Sequence, residues 1–106
     1  MSFASLEIDL GDSAKLPVQL TVAGVLTDPT TLALELKSPA GVVTTDTYPT
    51  NRTGLTWTKN ATGDYQAVIT AAILSTAGLW YYSYISTGTA AGAEQGQITV
   101  NARSST

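Results

Sequence analysis

The chain has 106 residues, of which 43% are hydrophobic and 12% are charged, and its net charge is −3. This length is typical of one domain, and the low charge excludes a coiled coil and a charge-driven disordered chain. Five cationic residues are too few for a phosphate-binding surface, and no apolar run is long enough to span a bilayer. We therefore expect neither nucleic acid nor a membrane as a partner.

The first segments of the chain alternate apolar and polar residues, as half-buried strands do. The alternation covers residues 6–10 and 16–22. Proline has no N–H to give to a ladder, so Pro17 predicts that the second segment lies at a sheet edge or bulges there. Ala23 and Gly24 predict a turn after it.

The clearest alternation in the chain lies in residues 31–37. Leucine has no special strand preference, so a helix is the alternative. The shortness of the segment between Pro29 and Pro39 favours a strand. Residues 42–48 are rich in β-branched side chains and predict its hairpin partner.

The second half of the chain has the same organisation of short strands and turns. Strands are predicted over residues 55–58, 64–70, 79–85 and 96–101. Residues 79–85 form the most apolar segment, which predicts a central strand. Residues 71–78 predict one helical turn that crosses between two sheets.

Seven or eight short antiparallel strands with regular turns indicate a single all-β, two-sheet sandwich over residues 1–101, followed by a C-terminal tail over 102–106. We expect its core to consist of alternating inward residues. These are Ile8, Leu16, Val18, Leu20, Leu32, Leu34, Leu36, Val43, Trp57, Tyr65, Ala67, Ile69, Trp80, Tyr82, Ile98 and Val100.

Catalytic and metal-binding chemistry has few candidates, because the chain contains no cysteine and no histidine. Asp9 and Asp12 offer two carboxylates, whereas Ca²⁺ takes six to eight oxygen ligands. We expect Asp12, like Asp28 and Asp64, to accept local backbone hydrogen bonds in turns. The sequence therefore predicts a protein that is not an enzyme, with no catalytic, cofactor-binding or metal-binding residues and no cofactor.

Carboxylate pairs for glycoside hydrolysis need an acid in an apolar setting, and only Glu35 and Glu94 are candidates for one. Solvated surface acids are the favoured interpretation for both.

Aromatic side chains are concentrated in the second half of the chain. They are Trp57, Tyr65, Trp80, Tyr81, Tyr82 and Tyr84. Core packing is the favoured interpretation of this group, and a platform for sugar rings is the alternative. Alternation places Tyr81 on the face opposite Trp80 and Tyr82, which makes Tyr81 the best candidate for an exposed contact.

Several motifs together resemble the small immunoglobulin-like domain proteins of tailed bacteriophage virions. They are Asp28-Pro29-Thr30, Ser38-Pro39-Ala40-Gly41, Gly63-Asp64-Tyr65 and Ala77-Gly78-Leu79-Trp80-Tyr81-Tyr82. The resemblance covers nearly the whole chain, and it implies that the sandwich over residues 1–101 is immunoglobulin-like and that the protein is a non-enzymatic virion component.

The favoured role is a head-associated decoration protein that docks on a capsid lattice. A neck or tail accessory protein and a carbohydrate-binding or adhesion module are the alternatives. The implied partners are capsid, neck or tail proteins, and pairing of residues 6–10 with a neighbouring subunit would make a homo-oligomer. The first twelve residues have no positively charged start or apolar stretch of a secretory signal, so we expect synthesis in the host cytoplasm and a location in the virion.

Overall fold

A computed structural model describes residues 3–90 and 92–102. This part of the chain contains ten strands and one 3₁₀ turn. In chain order they are β1 (Phe3–Asp9), β2 (Ala14–Gln19), β3 (Thr21–Val22), β4 (Val25–Leu26), β5 (Thr31–Lys37), β6 (Val43–Thr47), β7 (Leu55–Ala61), β8 (Asp64–Ile69), β9 (Gly78–Thr87), the 3₁₀ turn (Gly88–Ala90) and β10 (Gly92–Asn101).

The strands form a five-stranded sheet in the order β1-β10-β9-β5-β6 and a three-stranded sheet in the order β2-β8-β7, while β3 and β4 form a small ribbon. The inward side chains of the two larger sheets meet in one core. The predicted all-β sandwich is thereby confirmed. β9 is the central strand of the larger sheet, and β5 and β6 form the predicted hairpin.

The core follows the alternation of the sequence, because successive strand residues point to opposite faces. The side chains of Leu34, Leu55 and Ile69 are completely inaccessible to solvent. Ile8 and Leu20 are half-buried against this core. Among the hydrophobic residues that the structure describes, the prediction missed five that are buried, which are Ala14, Leu55, Leu74, Tyr84 and Ala90.

One predicted core residue is wrong. Val43 is 56% exposed. It pairs with Lys37 in the β5–β6 ladder, whereas the neighbouring pairs Leu36–Thr44 and Leu34–Asp46 lie on the inner face. Directly opposed residues share a face of the sheet, so this register places Val43 on the outer face.

The prediction that all strands are antiparallel is wrong for β1. This strand runs parallel to β10, with Leu6 opposite Ile98 and Ile8 opposite Val100. Both β1 side chains are half-buried and pack on the core. The period-2 pattern records which face of a strand is apolar but not the direction of its neighbour, which explains the error.

The connections differ from the prediction in detail. The segment predicted over 16–22 is divided, since β2 ends at Gln19 and the β3–β4 ribbon follows. The predicted crossing between sheets at residues 71–78 contains one helix-like hydrogen bond, from the Leu74 amide to the Thr70 carbonyl. Of the predicted tail, Ala102 is exposed, and residues 103–106 lie outside the described residues.

Candidate interaction surface

The central strand β9 separates its side chains into a buried row and an exposed row. Trp80, Tyr82 and Tyr84 point into the core. Leu79 and Ile85 are each 37% exposed and Tyr81 is 42% exposed. Because alternate residues share a face, these three lie in one row on the outer face of the five-stranded sheet, with the half-buried Ser83 between Tyr81 and Ile85. The three apolar side chains are here called the β9 stripe.

A shallow depression of about 240 Å³ lies beside Tyr81. Its lining combines apolar and polar side chains from neighbouring strands, including Glu35, Lys37, Val43 and Gln95. The ladder register aligns Val43 with Lys37, and Lys37 with Tyr81, across three strands. The surface next to the stripe therefore offers an aromatic ring, a cation and a carboxylate within one open hollow.

The most buried ion pair of the described residues ties a loop to β6. Nε of Arg52 donates to Oδ1 of Asp46 at 2.7 Å, and Nη2 donates to Oδ2 at 3.0 Å. Asp46 is only 9% exposed, and this pairing raises the pKa of Arg52. The two-point geometry holds the loop after β6 against the sheet, and sequence reasoning gave no signal for it.

Asp28 is the centre of a second polar cluster. Its carboxylate accepts hydrogen bonds from Nζ of Lys59 at 2.9 Å, the Gly63 amide at 2.8 Å and the Tyr65 hydroxyl at 2.9 Å. These donors lower the pKa of Asp28 to about 2, and the bond to Asp28 raises the pKa of Lys59. Burial, with the same carboxylate, raises the pKa of Tyr65. The cluster fastens the turn before β5 to the β7–β8 hairpin.

The expected role of the turn aspartates is only partly confirmed. Oδ2 of Asp12 accepts the Asp9 amide at 3.3 Å, which is a local bond of the predicted kind. Asp28 instead bonds across 35 residues to Gly63, so the local bond predicted for it is wrong. Gly63 has φ +70°, and a Cβ there would lie 2.7 Å from the Leu20 carbonyl oxygen. Only glycine allows this close approach of backbone segments.

The other members of the predicted aromatic group pack inside the sandwich, as core packing predicts. Trp57 contacts the Tyr48 ring edge-on at 5.7 Å and lies 6.1 Å from the Tyr84 ring. The Tyr84 hydroxyl donates to the Leu16 carbonyl and joins the two sheets. Burial raises the pKa values of Tyr82 and Tyr84. Of the predicted aromatic group, Tyr81 is the member the structure leaves well exposed.

The remaining acids are dispersed. Asp64 and Glu94 line an open groove beside β2, and Glu35 lies half-buried on the opposite, outer face of the larger sheet. Among residues 3–90 and 92–102, no three His, Cys, Asp or Glu side chains are grouped so that they could hold a metal ion. The same residues include no helix with the length and apolar character needed to cross a membrane.

The sequence contained a signal for the rest of the β9 stripe. Leu79 and Ile85 have the same parity as Tyr81 along the strand, so the alternation that exposed Tyr81 also exposes them. The predicted core includes neither Leu79 nor Ile85, and Tyr81 alone is predicted as an exposed contact.

Comparisons with known proteins identify the fold. No protein-family model matches the sequence, and no curated protein sequence matches it. The titin M3 domain superposes with a TM-score of 0.58 at 15% identity, covering 93% of this chain and 91% of that one. The Ig1 domain of mouse SynCAM 2 gives 0.54 at 14% identity, covering 95% and 94%.

A chain from a structure of T cell activation by the bacterial superantigen toxic shock syndrome toxin-1 gives a TM-score of 0.57 at 13% identity, covering 92% of both chains. These likenesses show an immunoglobulin-like fold. At such low identities they carry no information on function. The resemblance to phage virion proteins finds no support in these structures and stays a prediction.

Proposed function

We propose that this immunoglobulin-like domain is a non-enzymatic structural component of a tailed-phage virion, and specifically a head-associated decoration protein that docks on a capsid lattice. The observation that carries the docking role is the β9 stripe, where Leu79, Tyr81 and Ile85 are exposed on the central strand. Exposed apolar side chains that are grouped on one face of a sheet are typical of surfaces that bind other proteins. The phage assignment rests on the sequence motifs.

The shape of the surface favours a protein partner. The hollow beside Tyr81 is open and about 240 Å³ in volume, whereas small-molecule sites enclose most of the ligand surface. The stripe lies on the open face of a sheet, and aromatic residues such as Tyr81 are enriched at the centres of protein interfaces. A weak contact of this kind becomes effective when many copies bind a repeating lattice.

Two ion pairs of the described residues support a structural role. Asp46 is engaged by Arg52, and Asp28 is engaged by Lys59. Both pairs connect segments of the fold, and Asp46 of the Arg52–Asp46 pair lies on β6 of the sheet that carries the stripe. A stiff docking surface loses less conformational entropy on binding than a mobile one.

Particle composition tests the proposal. Virions purified from the phage that encodes the chain are expected to contain it in many copies by quantitative mass spectrometry, and the structures it contacts locate it on the head, neck or tail. Its absence from mature virions would refute the proposal.

The stripe itself is tested by Tyr81→Ser, with Val22→Ser as the matched control. Val22 is 40% exposed on β3, outside the stripe. Loss of a central interface tyrosine weakens binding by about tenfold to thirtyfold. We expect the Tyr81→Ser variant to occupy fewer sites on the particles than the wild type, and the Val22→Ser variant to occupy as many. Equal occupancy by both variants would exclude the stripe as the docking surface.

Carbohydrate binding is the second candidate, because the exposed Tyr81 ring borders a hollow that also contains Glu35 and Lys37. Aromatic faces with convergent polar groups suit a sugar ring. A glycan array probed with the wild type and with Tyr81→Ala tests it. Binding that Tyr81→Ala removes would support this role, and an array without bound glycans would exclude it.

A further inference from the structure

The outermost strand β6 leaves backbone hydrogen-bonding groups facing outward from the sheet. The Tyr48 amide donates to the Leu32 carbonyl at 2.8 Å, and the Ser38 amide donates to the Val42 carbonyl at 2.9 Å. Because bonding alternates along an antiparallel ladder, residues 44 and 46 also face β5. Val43, Thr45 and Thr47 therefore direct their N–H and C=O groups to the free edge.

The two edges of the three-stranded sheet are blocked against pairing. On β2, the Leu20 amide donates to the Gly63 carbonyl, which by the same alternation places Pro17 at the centre of the free edge, where it has no N–H. On β7, the Trp57 amide donates to Oδ1 of Asn51 at 2.8 Å. The Leu55 amide is likewise occupied, by the Arg52 carbonyl at 2.9 Å.

The β1 edge of the five-stranded sheet is negatively charged. Glu7 and Asp9 lie exposed on this strand, and the Asp9 amide is occupied by the Asp12 carboxylate. Charged side chains on an edge strand oppose the addition of another strand. Self-pairing of β1 would gather the acidic groups of both copies at one junction.

β6 lacks these features. Its exposed side chains are uncharged, and its inward carboxylate, Asp46, is neutralised within the chain by Arg52. Within the described part of the chain, neither a side chain nor a loop occupies the edge amides of Val43 and Thr45. The Thr47 carbonyl accepts the Thr50 amide at 2.9 Å and keeps a second lone pair.

We propose that β6 is the self-association edge of this protein, where β6 of a second copy adds in antiparallel orientation about Thr45. The outward N–H and C=O groups of the two strands meet only when residues 43, 45 and 47 of one copy oppose the same set in the other. Centred on Thr45, this register places Thr45 opposite Thr45 and Val43 opposite Thr47 of the second copy. On the inner side, Thr44 faces Asp46 of the second copy, so a hydroxyl meets a carboxylate. No like charges are opposed, which makes the edge complementary to itself.

The short edge sets the strength of the pairing. β6 has 5 residues, and an interface built mainly from one such strand falls in the small, weak class. We expect a reversible dimer with a dissociation constant of about 10 μM to 1 mM. The two five-stranded sheets then form one continuous sheet.

Sedimentation across a concentration series up to about 1 mM tests the proposal. The wild type is expected to shift from monomer to dimer, while Thr45→Pro and Thr45→Lys stay monomeric. The Thr45 amide makes no bond to β5, so proline there leaves that ladder complete. Thr58→Lys is the control, since Thr58 is exposed on β7, whose edge a loop occupies.

Thermal unfolding of each variant confirms that it is folded. A wild type that is monomeric over the whole series, or dimerisation by the Thr45 variants equal to that of the wild type, would overturn the proposal.

Thiol cross-linking tests the register in the same chain. The protein has no cysteine, so Thr45→Cys introduces a single thiol. In the proposed register the two Cα atoms of residue 45 are about 5.5 Å apart, within reach of a short bifunctional reagent. We expect covalent dimers from Thr45→Cys and few from Thr58→Cys. Equal yields from the two variants would overturn the register.

Discussion

Leu34→Ala and Val43→Ala together test the register of the β5–β6 hairpin, which determines what faces the core and what faces solvent. Leu34 is 0% exposed, whereas Val43 is 56% exposed. Removing a buried leucine side chain costs its transfer free energy and leaves a cavity, about 3 kcal/mol in all. An exposed valine contributes little, and its truncation changes the unfolding free energy by about 0.5 kcal/mol or less.

These values convert to melting temperatures. Unfolding entropy is about 2.1 cal/mol/K per residue, or about 0.22 kcal/mol/K for 106 residues. Leu34→Ala is therefore expected to lower Tm by about 13 °C, and Val43→Ala by about 2 °C at most. Circular dichroism at low micromolar concentration measures both without self-association. Similar decreases in Tm for the two variants would refute the register, because they would mean that Val43 is buried as Leu34 is.

Two further predictions concern the polar clusters. The lowered pKa of Asp28 means that the ionised carboxylate stabilises the fold above the ordinary pKa of 3.8, and that this contribution is lost as pH falls toward about 2. The Tm difference between the wild type and Asp28→Asn should therefore shrink between these two pH values. A Tm difference that stays constant would contradict the lowered pKa. Arg52→Ala leaves the nearly buried Asp46 carboxylate without its guanidinium partner. Urea unfolding should therefore show a free energy of unfolding lower by about 1–3 kcal/mol. An unchanged urea midpoint would mean that water replaces the guanidinium at no cost.

The parts of this fold that depend on local pattern were predictable from the sequence. Alternation in residues 31–37 and 79–85 gave β5 and β9 with their inward faces. Pro17 marked β2 as an edge, and the same alternation exposed Tyr81. These features depend on side chains a few residues apart, and such spacing is directly visible in a sequence.

The features that escaped prediction depend on distant segments. The sequence predicts Val43 in the core, but a β-branched residue in a hairpin suits either face, and only the register with β5 decides which one. Asp28 has the sequence setting of a local turn residue, but its partners lie more than thirty residues away. Leu74 is buried by a crossing whose path depends on both sheets.

The two proposed surfaces lie on the same sheet, and that has a consequence for lattice binding. β6 is separated from β9 by β5 alone. An antiparallel pair has its two-fold axis perpendicular to the sheet, so the outer faces of both copies lie on one side. Five strand spacings of about 4.8 Å then place the two β9 stripes about 24 Å apart. A dimer would offer a lattice two equivalent contacts, and a pair of individually weak contacts gains affinity from the high effective concentration of the second. Thr45→Pro should therefore reduce particle occupancy even though it leaves the stripe intact. If occupancy stays at the wild-type level, docking depends on single copies.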